Sequence, residues 1–265
     1  DGVPRAPGRI VYDLDLTGSG SERVSVHAPA TLSDAASATV LEYSRRAVRA
    51  LDLHDLGRLD FRIALDGTVY FLEANALPSL EAGAGLFAAA ALAGLDTLEQ
   101  VVAAVIDSAT RRWALREPAP EDAGALRVGF TYNQKRVKPD LKGEHDQEAE
   151  YESPELLDAI RSALRELGHE VVDLEATRDL PGRLATARVD VVFNLAEGAH
   201  GRGREAHVPS MLEWLGIPFT GTDAVGMALT LDKALAKHVV AGAGVPVPRG
   251  LVLDSVESRV EPGAV

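Results

Sequence analysis

The segment GRLDFRIALDGTVYFLEANALPS, residues 57–79, constrains the fold more than any other stretch of the sequence. Two runs of alternating apolar and polar residues flank an Asp-Gly pair, which is a strong signal for a tight hairpin turn. A two- or four-residue loop centred on this pair fixes the register of the two strands. One face of the hairpin is then expected to be apolar, with Leu59, Phe61, Ile63 and Leu65 on the first strand and Ala74, Leu72 and Tyr70 on the second.

The other face of the predicted hairpin carries four polar residues. Asp60 lies opposite Glu73, and Arg58 lies opposite Asn75. Directly opposed carboxylates repel each other unless a cation lies between them. Mg²⁺ takes carboxylate and other oxygen ligands, together with phosphates and water. The quartet therefore predicts a magnesium site. A solvated cluster in which Arg58 pairs with one carboxylate is the alternative, and a one-residue bulge would change the register.

Composition narrows the class of protein. The chain has 265 residues, which is enough for one large domain or two ordinary ones, and its net charge of -13 argues against a nucleic acid or an anionic membrane as partner. It has no cysteine, so thiolate metal sites and cysteine nucleophiles are excluded and a reducing, cytoplasmic location is favoured. No apolar run reaches the roughly 20 residues needed to span a bilayer.

The pattern of the chain changes at a segment rich in proline, alanine and acids, residues 116–125, which we interpret as a linker. Before it, in residues 1–115, helices accompany the hairpin and a short strand at 9–16, which predicts α+β packing. After it, in residues 126–265, strands alternate with helices, which predicts an α/β fold with a parallel, doubly wound sheet. In such a sheet, ligands bind at the carboxyl ends of the strands, where two long polar loops, residues 133–152 and 197–207, are expected.

Helix caps are predicted at three places. Thr31 and Asp34 have the spacing of a capping box, as do Asp96 and Glu99. Ser153, which precedes a proline, is the expected N-cap of the helix that follows the first polar loop.

The polar quartet, followed by a proline, resembles the carboxy-terminal subdomain of the ATP-grasp fold, in particular that of D-alanine–D-alanine ligases. The arrangement R-x-D, hairpin, L-E-A-N-x-x-P carries the resemblance, together with the preceding segment 11–34 and the helix that ends in IDSATRRW. The resemblance implies that Asp60, Glu73 and Asn75 bind the two Mg²⁺ ions that bridge the phosphates of ATP. It implies Arg58 as a catalytic residue that stabilises the developing negative charge.

The second half of the chain is similar to another part of the same family, the amino-terminal pre-ATP-grasp domain and the entry into the ATP-grasp core. The segments that carry this resemblance are 189–198, 203–240 and 244–253. It implies Lys233 as an ATP-binding residue that contacts a phosphate, and it places Glu205 in a loop that closes near the substrate. For Lys233, a solvated helix position is the alternative.

The acceptor loop after the hairpin departs from the family. Ser79 follows the proline at the position where the family has glycine, and the later stretch EAGAGL lacks a serine that helps to hold the acceptor carboxylate. This departure puts D-alanine in doubt as the substrate, and a different small-molecule carboxylate and amine are expected.

The order of the two parts is reversed relative to the family, and the central subdomain has no match. The chain is expected to be either the middle of a tandem protein, which we favour, or a permuted relative. The chain alone is then expected to bind ATP poorly and to be inactive, because a nucleotide held from one side loses most of its contacts. A homodimer or further modules of the same polypeptide remain open as partners.

Three functions compete. The leading hypothesis is an ATP-dependent carboxylate–amine ligase, or a segment of one, that acts through an acyl phosphate. The second is a non-catalytic binding module that keeps the ligase scaffold. The third, a glycosidase using Asp60 and Glu73 as its carboxylate pair, is disfavoured because only two tryptophans are available as sugar platforms.

Overall fold

The structure is a computed structural model that describes residues 27–81, 83–115, 124–137, 148, 150–253 and 255. The strand predicted at 9–16 and most of the predicted linker lie outside the described residues. The first half contains α1 (Asp34–Ala50), β1 (Arg58–Ile63), β2 (Val69–Asn75), α2 (Gly85–Ala91) and α3 (Leu98–Arg112). The second half contains β3 (Arg127–Tyr132), α4 (Pro154–Glu166), β4 (Glu170–Glu175), α5 (Leu180–Leu184), β5 (Val191–Leu195), a 3₁₀ turn (Arg204–Ala206), α6 (His207–Leu215), α7 (Ala224–Leu231) and α8 (Lys233–Gly242).

Near its turn, the hairpin of β1 and β2 departs from the predicted pairing. A three-residue loop, Leu65–Gly67, joins the strands, and Gly67 has a φ of 84° that favours glycine. Leu65 is therefore exposed rather than on the apolar face. Phe61 lies opposite Phe71, not opposite Leu72, and the two rings meet edge to face with centroids 5.8 Å apart. A bulge after Asp60 then restores the predicted register toward the open end.

The predicted helix caps are only partly correct. The hydroxyl of Ser33, rather than that of Thr31, caps α1 by accepting from the N–H of Ala36. Thr97 caps α3 in a capping box with Gln100, so that prediction was wrong by one residue. In each case the helix begins later than predicted, so a hydroxyl further along the chain occupies the N-cap position. Ser153 caps α4 as predicted.

The predicted parallel sheet is confirmed in the second half of the chain. Its strand order is β4-β3-β5, and both pairings are parallel. Alternating residues of β5 enter two different hydrophobic clusters, with Val191 and Phe193 in one and Val192 in the other. The sheet is therefore covered on both faces, as in a doubly wound fold. None of the helices within the described ranges has the length and apolarity to cross a membrane.

The two halves of the described chain share one hydrophobic core. From the first half, helices α1 and α3 and strand β2 contribute side chains such as Ala47, Phe71 and Val102. From the second half, the same cluster contains Phe130, Leu157, Val191, Met227 and Val240. The N–H of Phe71 in β2 also donates to the carbonyl of Pro246, at 2.9 Å, so the chain after α8 lies against the hairpin.

A buried ion pair reinforces this junction. The carboxylate of Asp55, whose side chain is 1% exposed, accepts hydrogen bonds from Ser108 Oγ at 2.7 Å and from the N–H of Gly221 at 2.9 Å. It also accepts from Arg112 Nη2 at 2.7 Å. Arg112 in turn donates to the carbonyl of Phe219. One carboxylate thus links the segment after α1, helix α3 and the segment before α7.

Candidate functional site

A cavity lies where the open end of the hairpin faces the carboxyl ends of β3 and β5. The cavity has a volume of about 540 Å³. This position agrees with the expectation that ligands bind at the carboxyl ends of parallel strands. Two of its sides differ in chemistry. The hairpin wall consists of Arg58, Glu73 and Asn75 with Lys233, and the glutamate wall consists of Glu152, Glu197 and Glu205 with Arg204.

The hairpin wall has the predicted register. Asp60 is paired with Glu73, and Arg58 with Asn75, across the two strands. The guanidinium of Arg58 donates to both oxygens of Asp60, at 3.0 and 3.2 Å, and Nη2 lies 3.7 Å from Glu73 Oε1. Nζ of Lys233 lies 2.5 Å from Glu73 Oε2. The opposed carboxylates are therefore compensated by two cationic side chains of the chain itself.

The pKa values of the two opposed carboxyl groups shift in opposite directions. Burial raises the pKa of Asp60, and the neighbouring Glu73 raises it further, against the influence of Arg58. For Glu73, burial alone would raise the pKa, but the hydrogen bond and charge of Lys233 hold it below its usual range. Like charges this close cannot both ionise freely. Glu73 is accordingly the more anionic member of the pair, and Asp60 is the one that holds a proton longer.

Asn75 and Ser79 hold the chain that leaves the hairpin. The side-chain oxygen of Asn75 accepts from the N–H of Leu77 at 2.9 Å, and Ser79 Oγ accepts from the N–H of Glu81 at 3.2 Å. Both residues line the cavity. An amide oxygen has two lone pairs, so Asn75 can accept this bond and still be a ligand.

The donor set of the hairpin fits a hard cation. Asp60, Glu73 and Asn75 offer only carboxylate and amide oxygens, which are the ligands that Mg²⁺ prefers. Among the described residues no group of three or more His, Cys, Asp or Glu side chains is placed to hold a metal ion. The hairpin has two carboxylates and takes its third donor from an amide, so a bound ion would need oxygens from phosphates or water to complete its coordination.

Lys233 reaches Glu73 from the start of a helix. The carboxylate of Asp232 interrupts the helical run between α7 and α8 and caps α8 by accepting from the N–H groups of Ala234 and Leu235, each at 3.0 Å. Arg202, in the second polar loop, donates to the same carboxylate at 2.6 Å. Lys233 is the first residue of α8, and its side chain is 69% exposed. The helix cap thus holds the backbone of Lys233, while its exposed side chain extends to Glu73.

The glutamate wall begins directly after β5. Gly198 follows Glu197 with a φ of 78°, and a Cβ there would lie 1.9 Å from the carbonyl oxygen of Arg204. Only glycine can make this crossing. The N–H of Gly198 donates to the side-chain oxygen of Asn133 at 3.1 Å, and Tyr151 Oη donates to its carbonyl at 3.4 Å. The backbone around Glu197 is therefore clamped from two sides.

Burial dominates the ionisation of this wall. It raises the pKa of Glu197 to about 9, and the charges of Glu205 and Glu150 add to the rise. It also raises the pKa of Glu205 to about 7, partly offset by Arg204. For Glu152, burial and the charge of Glu81 raise the pKa to about 7. The described residues thus hold three carboxyl groups that are hard to ionise around one cavity.

The structure brings the predicted site residues together at the cavity, but the sequence analysis did not predict all of the residues that line it. Six of them line the cavity, namely Arg58, Glu73, Asn75, Ser79, Glu205 and Lys233, and Asp60 contacts Arg58 just outside it. Sequence reasoning missed Glu197, Glu152 and Arg204. Glu197 could have been found, because it follows a buried strand at the carboxyl edge of the predicted sheet.

Comparison with known proteins shows what the first half of the chain is similar to. Residues 4–107 match the model of the D-ala D-ala ligase C-terminus. A D-alanine–D-alanine ligase of Moorella thermoacetica is 38% identical over 100 residues, which cover 37% of this chain and 31% of the relative. One from Cereibacter sphaeroides is 44% identical over 92 residues, covering 34% and 29%. One from Aquifex aeolicus is 39% identical over 90 residues, covering 34% and 30%.

These matches confirm, for the first half of the chain, the resemblance to the D-alanine–D-alanine ligases of the ATP-grasp family. The chain spans about 30% of the length of the curated relatives it matches. No solved structure matches the chain. The interpretation of the second half therefore depends on its own sequence and geometry.

Proposed function

We propose, from the relation of residues 4–107 to the C-terminus of D-alanine–D-alanine ligases, that the chain is part of an ATP-dependent carboxylate–amine ligase. In such a reaction ATP phosphorylates a carboxylate, and an amine then displaces phosphate from the acyl phosphate to form an amide. The single observation that carries the proposal is the hairpin wall, where two opposed carboxylates and two cations meet at the edge of one cavity.

In this proposal Asp60, Glu73 and Asn75 hold magnesium. Two bound Mg²⁺ ions would neutralise the phosphates of ATP and align them for transfer. The residues of the chain prepare this site by their charges. Because Glu73 is kept anionic by Lys233, it is ready to exchange that cation for a metal ion.

Arg58 and Lys233 change partners in the proposed reaction. Without nucleotide they contact the carboxylates of the hairpin, at 3.0 Å from Asp60 and 2.5 Å from Glu73. With nucleotide bound, they are free to contact phosphate oxygens while the metal takes the carboxylates. A positioned cation next to the transferred group stabilises the charge that develops there, which is the role we assign to Arg58.

The substrates are small molecules, a carboxylate and an amine. The relatives act on D-alanine according to their names. In this chain Ser79 follows Pro78 in the loop that leaves the hairpin, and its hydroxyl is turned to the N–H of Glu81. We therefore assign the class of reaction and leave D-alanine out of the proposal. The domain limits 1–115, 116–125 and 126–265, and a cytoplasmic location, stay predictions.

A calorimetric titration of the 265-residue chain with ATP, in the presence and absence of Mg²⁺, tests the proposal. Binding is expected to depend on Mg²⁺ and to weaken by about 100-fold in Glu73→Gln, because a metal ligand contributes several kcal/mol. Glu166→Gln, an exposed glutamate at the end of α4, is the matched control. Binding that ignores Mg²⁺, or equal loss in both variants, would contradict the metal site. No binding to the wild type or to either variant would indicate an incomplete ligase segment or the non-catalytic scaffold.

A further inference from the structure

The part of the cavity around the glutamate wall has more carboxyl groups than cationic groups. Apart from Glu73, Arg58 and Lys233 of the hairpin wall, the cavity is lined by five glutamates and by two cations, Lys135 and Arg204. A phosphate would find few cationic partners on such a surface and, wherever a carboxyl group ionises, a like charge. This part of the cavity is therefore suited to a ligand with positive charge.

Among these glutamates, Glu197 is buried, and its contact with the cation Arg204 is a distant one. The residue is 8% exposed and lines the cavity. Within the described part of the chain its carboxyl group accepts no hydrogen bond, and its nearest cation, Arg204, lies 3.9 Å away, beyond hydrogen-bond distance. A buried carboxyl group without donors is costly. The clamped backbone at Gly198 nevertheless fixes it there, with the cavity as its open side.

Arg204 cannot satisfy the glutamate wall alone. Its Nη2 contacts Glu150 closely, lies 3.4 Å from Glu205 and 3.9 Å from Glu197. One guanidinium nitrogen thus serves three carboxyl groups. Because Glu150 takes the shortest of these contacts, Glu197 and Glu205 keep free capacity for donors from a ligand.

The reacting amine does not account for this capacity. An amine must be neutral when it attacks an acyl phosphate, so it cannot itself be the lasting partner of buried carboxylates. A second ammonium or guanidinium on the same molecule would carry a permanent charge. It would supply the donors that Glu197 lacks.

We propose that the cavity takes an amine acceptor with a second cationic group, a diamine or a basic amino acid, and that Glu197 and Glu205 bind this second group. The role of this molecule as the acceptor rests on the proposed ligase function. Its binding to the cavity does not require ATP. The pKa of Glu197, raised to about 9 by burial, supports it in one respect. Binding of a cation stabilises the ionised carboxylate, so binding is coupled to proton release.

The test compares probes that differ by one amine. L-lysine is compared with L-norleucine, D-lysine with D-norleucine, and 1,5-diaminopentane with 1-aminopentane. Each compound is titrated into the 265-residue chain by calorimetry without nucleotide. At least one dicationic probe should bind about tenfold more tightly than its monocationic counterpart, since a hydrogen bond to a charged group contributes about 1.5 kcal/mol or more. Repeating the titration in buffers of different ionisation enthalpy should reveal proton release.

Two variants decide whether the glutamate wall is responsible. The advantage of the dicationic probe should disappear in Glu197→Gln and shrink in Glu205→Gln, while Glu166→Gln keeps it. Circular dichroism of each variant checks that the fold is retained. No advantage in any probe pair, or an advantage that survives in Glu197→Gln, would overturn the proposal. Loss of magnesium-dependent ATP binding in Glu73→Gln is measured separately, so failure of the ligase proposal remains distinguishable from failure of this one.

Discussion

The two walls of the cavity both contain partly buried carboxyl groups, but they differ in how closely cations accompany them. In the hairpin wall, Glu73 has two cations within 4 Å, Lys233 at 2.5 Å and Arg58 at 3.7 Å. In the glutamate wall, Arg204 is shared by several carboxyl groups, and Glu197 receives only its most distant contact. Lys233 holds the pKa of Glu73 below its usual range, whereas burial raises the pKa of Glu197 to about 9 and that of Glu205 to about 7. The difference indicates that each wall is adapted to a different ligand.

The two walls can form one cavity only if the two halves of the chain are held together. Asp55 is the buried anion of that junction, and its φ of 57° is tolerated by asparagine. Asp55→Asn leaves Arg112 without its counter-charge and should lower the free energy of unfolding by about 3 kcal/mol. Urea denaturation measures the change. Asp107→Asn, on the exposed side of α3, should have little effect, and equal losses in both variants would argue against the junction.

The second prediction concerns the pH dependence of stability. Glu197 has a pKa of about 9 in the folded chain and 4.5 as its ordinary value, so the folded state binds the proton more tightly. Its contribution is full below pH 4.5 and is lost as the pH rises toward about 9. Glu205, Glu150, Glu152 and Arg204 are the charged groups around it.

The measurement is urea denaturation of the wild type and of Glu197→Gln across this pH range. The stability of the wild type relative to the variant should fall by an amount on the order of 2 kcal/mol, because the variant has no proton to lose. Glu166→Gln serves as the control and should follow the wild type. A constant difference between wild type and Glu197→Gln would show that Glu197 is ionised in the folded chain.

The smallest predicted effect belongs to the hairpin wall. Lys233→Met removes the cation that competes with a metal for Glu73. Mg²⁺ alone, without nucleotide, should then bind about threefold more tightly, because exposed ion pairs contribute up to about 1 kcal/mol. ATP with Mg²⁺ should bind less tightly, since a phosphate contact is lost. Calorimetry measures both, with Lys237→Met, one turn along α8, as control; an unchanged Mg²⁺ affinity would contradict the competition.

The hairpin shows how much the sequence could predict and for what reason. The pairing of Asp60 with Glu73 was predicted from a loop length that was wrong by one residue. It is nevertheless confirmed, because the bulge after Asp60 compensates for the three-residue loop Leu65–Gly67. Local turn chemistry specifies that a hairpin forms. A bulge depends on packing against the core, where Phe71 is fully buried. It therefore cannot be predicted from the local sequence pattern.

The glutamate wall could not be predicted to the same extent. Its residues come from the two polar loops that follow β3 and β5, and they meet only when the sheet is formed. The sequence predicted the edge of the sheet at which ligands bind. It did not predict that Glu197 would be buried, because its burial arises from the crossing of Gly198 against Arg204. Contacts between segments that are distant in sequence are invisible to periodicity.

The central claim, that the two walls bind different ligands, is tested most directly by titrating Glu73→Gln and Glu197→Gln each with magnesium-ATP and with the preferred dicationic amine. The account predicts that Glu73→Gln loses ATP binding and keeps the amine, while Glu197→Gln loses the preference for the dicationic amine and keeps ATP. If either variant lost both ligands, or if neither variant lost its own, the cavity would not be divided into two sites as described.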